Sequence, residues 1–125
     1  MLVAAHISRA GVCAELLEEV LLGHELVLSE YILGELQEKL AGKFGYSDAT
    51  VRAVLTHLKR AAEMVHPEVI PPEDCRDDED LEILGTATAG QCELLVTVDK
   101  DLLAIGAYRM FAIVKPGEFW RRIRR

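Results

Sequence analysis

At 125 residues, half of them apolar and 28% charged, the chain has the size and balance of one soluble globular domain with a real hydrophobic core. Its net charge of −7 excludes a protein that coats nucleic acid through broad phosphate contact, but not an acidic site that holds metal ions. No apolar run reaches the roughly 18–20 residues of a membrane span. The opening "MLVAAHISRAGVC" also lacks the basic flank and apolar block of a secretory leader. The three cysteines, Cys13, Cys75 and Cys92, are odd in number and form no CxxC pair, which suits a reducing cytoplasm. With His66, Cys75 and Cys92 fit no common zinc spacing and read as isolated residues.

In chain order, Val3–Leu22 carries apolar residues at helical spacing (Leu16, Leu17, Val20, Leu21), with Gly23 as its stop. Glu15, Glu18 and Glu19 read as its solvated face. "HELVLS" predicts a strand at Glu25–Leu28, and Ser29 can cap a helix over Tyr31–Ala41. After the turn "KFGYS", Ser47 can cap a long helix to about Val65, whose apolar face holds Val51, Val54, Leu55, Leu58 and Ala62. "EVI" predicts a short strand ended by Pro71 and Pro72. "DDEDLEILGTATA" predicts a helix that stops near Gly90, "ELLVTV" a strand, "KDLLAIG" a short helix and "MFAIV" a last strand. Pro116 opens the final helix, ending "FWRRIRR". Strands that alternate with helices imply an α/β fold with a parallel sheet covered on both faces. Ligands in such folds sit outside the carboxyl ends of the strands.

Three carboxylates can reach that rim. Ile83, Leu84 and Ala87 follow Asp80 by three, four and seven positions, so Asp80 lies in line with the buried stripe of its helix. Asp77 faces the same side, whereas Asp78 and Glu79 point toward solvent. Acids in a first helical turn gain from the helix dipole, which is a sufficient structural reason for Asp77, Asp78 and Glu79. Asp80 faces inward, and an unpaired buried charge is too costly for that explanation alone. In the helix over Tyr31–Ala41, Ile32, Leu36 and Leu40 form the buried stripe. Glu35 lies at its edge and Glu38 nearly opposite. The strand "ELLVTV" runs into Asp99, with Asp101 two positions on. Two carboxylates about 4 Å apart repel by about 4 kcal/mol at an effective dielectric of 20. Glu35, Asp80 and Asp99 on one rim therefore demand protons or a cation. Oxygen-only ligands suit Mg2+ or Mn2+, ions that promote phosphodiester cleavage.

"LSEYILGELQEKL", "CRDDEDLEILGTATAG" and "LLVTVDKDLL" resemble, in order and spacing, the motifs of PIN-domain proteins. The branch is the one assigned as toxins of prokaryotic toxin–antitoxin pairs. The resemblance spans essentially the whole chain, residues 1–125, as a single domain. It implies a five-stranded parallel sheet in a three-layer α/β/α sandwich, and metal-dependent ribonuclease activity from acids at the strand ends. Glu35 matches the family's helix glutamate, Asp80 its helix aspartate, Asp99 the aspartate after the strand, and Thr97 the hydroxyl beside it. Asp77 and Asp101 fall where some members carry further acids. The family's first strand, of the type V-x-D-T-N, is expected directly before "MLVAA". The resemblance thus predicts that the central strand and the first active-site Asp are missing, with a true start upstream of Met1, a rearranged or self-associated sheet, or an inactive member as the explanations.

The leading expectation is a metal-dependent endoribonuclease toxin that acts on RNA, is restrained by an antitoxin and forms a homodimer or higher oligomer. Arg52, Lys59 and Arg60 are its candidate RNA contacts. The absent Asp motivates an alternative, a catalytically dead module that binds a partner or itself. A phosphoacceptor of the response-regulator type expects an acidic pair after the first strand, and that pair is not visible.

Overall fold

The computed structural model describes residues 1–6, 20 and 23–123. Strand β1 is Leu2–Ala5 and β2 is Glu25–Leu28. Helix α1, Glu30–Glu38, runs on into a π-helical turn over Lys39–Lys43, and α2 is Asp48–Ala61. Strand β3 is Glu63–Met64. A 3-10 turn over Pro72–Asp74 precedes α3, Asp78–Ala89. Then come β4 (Leu94–Val96), α4 (Lys100–Ile105), β5 (Ala107–Tyr108), β6 (Phe111–Val114) and α5 (Pro116–Ile123).

Among the described residues the sheet has six strands in the order β3-β2-β1-β4-β6-β5. Five run parallel, and β5 adds an antiparallel edge through a tight hairpin onto β6. The α/β class and mostly parallel sheet agree with the sequence. The expected gap in the sheet does not. Leu2–Ala5 is itself the central strand, with Val3 opposite Leu26 on one side and Leu94 on the other. Val3, Ala4 and Ala5 are fully buried. Alanine favours helix over strand, so "LVAA" reads as helix by propensity; a place between two parallel partners overrides that preference. The remainder of the helix expected over Val3–Leu22, including Leu16, Leu17, Leu21 and the three glutamates, lies outside the described residues, except Val20, which is helical and buried.

The expected strand at Glu68–Ile70 is also corrected. The short edge strand is Glu63–Met64, paired with Val27 and Leu28. Glu68 instead crosses α3, donating its backbone N–H to the Gly85 carbonyl at 3.0 Å. That crossing needs glycine: a Cβ at Gly85 meets the Glu68 carbonyl oxygen in hard contact.

Caps fix the helices that carry the site. The Ser29 hydroxyl accepts the Ile32 N–H at the start of α1 and also accepts the buried Thr86 hydroxyl of α3 at 2.8 Å. This clasp sets α1 against α3. The core beneath them is built from Leu26, Leu28, Ile32, Ile83, Leu84 and Leu95, all essentially inaccessible to solvent.

Candidate active site

The carboxyl ends of β1 and β4 open onto one rim, and four elements deliver polar groups to it. Asp77 caps α3, its carboxylate accepting the Glu79 N–H at 2.8 Å. Asp80 follows in the first turn and is only 4% exposed. Beyond β4, Thr97 is fully buried, and its backbone N–H is held by the Val114 carbonyl at 3.0 Å. Asp99 caps α4, accepting the Leu102 N–H at 3.0 Å, and its own N–H donates to Thr97 Oγ1 at 3.0 Å. Asp101 lies in the first turn of α4. Glu35 comes from α1.

One carboxylate oxygen from each of Asp77, Asp80 and Asp101 lies within 4.8 Å of the other two. The Asp80 carboxyl is pushed up to about 8, first by burial, then by its hydrogen bond with Asp99 and that neighbour's charge, then by Asp77 and Asp101. At neutral pH Asp80 therefore keeps a proton unless a cation replaces it. Cys75 is buried beside it, Sγ 4.0 Å from Asp80 Oδ2, with its thiol pushed up mainly by that burial. On the α1 side the Tyr31 phenol is raised to about 12 by burial, then by Glu35, Glu79, Glu82 and Asp77. The same negative field thus spans the α1 and α3 faces of the rim.

Glu35 is placed differently from Asp80. Its Oε1 lies 3.1 Å from His6 Nε2, and the other ring nitrogen, Nδ1, lies 3.0 Å from Thr97 Oγ1. His6 follows β1 directly, is 7% exposed, and is anchored by its backbone N–H on the Val96 carbonyl at 2.9 Å. It stands at the carboxyl end of the central strand, where the resemblance led us to expect an aspartate. His6 was not anticipated. The available signal was a histidine immediately after a short apolar run, which only a strand reading of "LVAA" makes informative.

The structure thus joins Asp80 to Asp77, Asp99 and Asp101, and joins Glu35 to Thr97 through His6. Arg52, Lys59 and Arg60 lie exposed on α2. Lys59 Nζ pairs with Glu30 Oε1 at 3.2 Å, so one of the three candidate RNA contacts already faces an acid. Cys75 and Cys92 are free and buried, and neither joins a metal-capable group among the described residues.

Three clustered carboxylate oxygens, one on a buried acid whose ionisation burial and its acidic neighbours oppose, suit a hard divalent cation. No curated protein matches the chain. The family model for the PIN domain matches residues 1–101, a span that covers every acid of the rim. PIN domains as a class bind RNA and typically depend on a divalent metal for nuclease chemistry, and the acidic cluster agrees with that chemistry. By that match and by its mostly parallel α/β sheet, the chain belongs to the PIN-domain family.

Proposed function

We propose that residues 1–125 form one PIN domain that acts in the cytoplasm as a divalent-metal-dependent endoribonuclease, the toxin of a toxin–antitoxin pair. The observation that carries this reading is the buried Asp80 amid Asp77, Asp99 and Asp101 at the carboxyl ends of a parallel sheet. Asp80, Asp77 and Asp101 would hold the ion, Mg2+ or Mn2+, with Asp99 and Glu35 completing the negative rim. When bound, the ion stabilises charge on a phosphodiester and yields a nucleophilic water.

The protein's own residues do the rest. Asp99 fixes the start of α4 and, through Thr97, the loop that follows β4. Thr97 and His6 orient Glu35. Asp80 would hold the ion as a carboxylate, so binding would be coupled to loss of its proton. Arg52 and Arg60, with Lys59 when it leaves Glu30, supply the cations that attract an RNA backbone. An antitoxin and a second copy of the chain are the partners we assign to the toxin reading, which rests on the resemblance of "LSEYILGELQEKL", "CRDDEDLEILGTATAG" and "LLVTVDKDLL".

Labelled single-stranded RNA incubated with the full chain in Mg2+ or Mn2+ tests this reading. Cleavage is expected, with loss on chelation and a fall of at least about 100-fold in Asp99→Asn. A second reading, a PIN-like module that binds partners without catalysis, is favoured by one observation: His6 stands where an acid is expected and engages Glu35. It predicts no cleavage in either metal and no metal-dependent change that Asp99→Asn removes.

A further inference from the structure

We propose that Phe44 and Tyr46, at the turn between α1 and α2, form a platform on which unpaired RNA bases stack, and that this platform gives the protein a preference for single strands over duplexes. The proposal rests on the ribonuclease reading above and deepens it. Arg52, Lys59 and Arg60 offer contacts to phosphates, whereas the two rings offer contacts to bases.

The first support is exposure. Of the aromatic side chains, Phe44 and Tyr46 are the two left exposed, at 43% and 51%. Phe111 and Phe119 are buried, and Tyr31, Tyr108 and Trp120 pack partly buried against the core. Leaving two rings in water forfeits the stabilisation that burial gives. The rings lie side by side, with centroids 6.2 Å apart and planes tilted by 31°. At these exposures each ring keeps free surface for another partner.

The second support is a turn that holds its shape without the rings. The Phe44 N–H donates to the Lys39 carbonyl at 3.1 Å, and the Tyr46 N–H donates to the Leu40 carbonyl at 3.0 Å. Gly45 between them takes φ +65°, a conformation that a side chain there would strain. Ser47 then caps α2, its hydroxyl accepting the Thr50 N–H at 3.2 Å. A backbone fixed on both sides presents the rings in place, so less ordering opposes binding.

The third support is charge. The tip sets Lys39 and Lys43 against Glu38 and Asp48, so it is neutral in a chain of net charge −7. A polyanion is not repelled there. Beyond the tip, α2 carries Arg52, Lys59 and Arg60 exposed, and Asp48 is its one acid. Aromatic rings beside a cationic track hold single strands without reading sequence. In the other direction the turn continues α1, which carries Glu35 at the rim, on the order of 13 Å from Phe44 along a helical axis. A protein partner fits this surface less well. Residues 41–50 are all exposed and, the two rings apart, small or polar. That is not the apolar centre of a protein–protein interface.

The consequence is selectivity for strand state. Bases in a duplex are stacked on their neighbours and do not reach the rings, whereas every unpaired base has a free π-face. Stacking releases no counterions, so loss of the rings lowers affinity without changing its salt dependence.

Anisotropy titration of a labelled single-stranded oligoribonucleotide with the full chain, in chelator so that nothing is cut, tests this. The wild type should bind the single strand at least about 10-fold tighter than the same sequence as a duplex, or than an abasic strand with the same phosphates. The double variant Phe44→Ala, Tyr46→Ala should lose about 10–100-fold in affinity and keep a log-salt slope of about −2. Phe44→Trp with Tyr46→Trp should retain wild-type affinity. Equal binding of the abasic and normal strands, or of RNA by the wild type and the double alanine variant, overturns the platform. If the wild type still cuts RNA in Mn2+, the ribonuclease reading survives that result. Unchanged RNA affinity with slower sedimentation of the double variant assigns the rings to contact between copies and also overturns the platform. A wild type that neither binds nor cuts RNA ends both readings. Binding with the expected losses but no cleavage in Mg2+ or Mn2+ upholds the platform and removes the ribonuclease. The abasic comparison uses the wild type alone, so it decides even where a variant does not fold.

Discussion

Among the described residues, Asp80 is the acid under the strongest electrostatic tension. Its carboxyl rises from an ordinary 3.8 to about 8 in the fold, chiefly through burial. The folded protein therefore holds a proton that the unfolded chain releases between those values. Stability from this group is fully present below about pH 4 and declines as pH rises to about 8. Melting temperature of the metal-free protein should accordingly fall between pH 5 and pH 8, and Asp80→Asn should flatten that fall. Added Mn2+ should restore more stability at pH 8 than at pH 6, because the ion takes the place of the proton. A metal-free protein that grows more stable over this window would mean that Asp80 is stabilised as an anion. The inward direction of Asp80 was legible in the sequence from its three-, four- and seven-residue offsets to Ile83, Leu84 and Ala87. The His6–Glu35–Thr97 contacts were not, because they link residues 29 and 91 positions apart in chain and no local pattern encodes such a meeting.

At the scale of elements, α3 holds the site together from beneath. Its glycine lets the Glu68 backbone cross it, and that backbone hydrogen bond secures the loop that enters Asp77. Gly85→Ala should therefore cost about 1–3 kcal/mol in urea unfolding, against a small gain expected for the same change in an open helix. Retained or improved stability would show that the crossing segment can shift freely. Elements with strong local signals were the legible ones: β2 is Glu25–Leu28 as read, Ser29 and Ser47 cap helices, and Gly90 ends α3. β1, β3 and β5 were not legible. β3 and β5 are two residues long, too short for any period to register, and each pairs with a longer neighbour; β1 is as long as β2, but its two alanines read as helix by propensity. The hairpin between β5 and β6 also turns through Arg109 at φ +50°, a residue type that gives no turn signal.

For the whole molecule, the sheet extends beyond the residues matched by the family model. β6 pairs in parallel with β4, and α5 packs the fully buried Phe119 into the same core. Phe119→Ala should lower stability by about 3–5 kcal/mol, read from chemical denaturation, and truncation before β6 should expose the side of β4 that frames Asp99. The net charge of −7 sets a second expectation. With RNA contact confined to Arg52, Lys59 and Arg60, log K should fall with log salt at a slope of about −2, or about 20-fold from 50 to 200 mM. A much steeper fall would assign RNA a wider basic footprint than α2 offers.

The central claim is that this acidic rim cuts RNA with a metal ion held by Asp80. Its most direct test is end-group analysis of RNA treated with the full chain in Mn2+, wild type beside Asp80→Asn. We expect 5′-phosphate and 3′-hydroxyl ends from the wild type and no cleavage above background from the variant. Equal cleavage by both proteins, or 2′,3′-cyclic phosphate ends that persist in chelator, would contradict it.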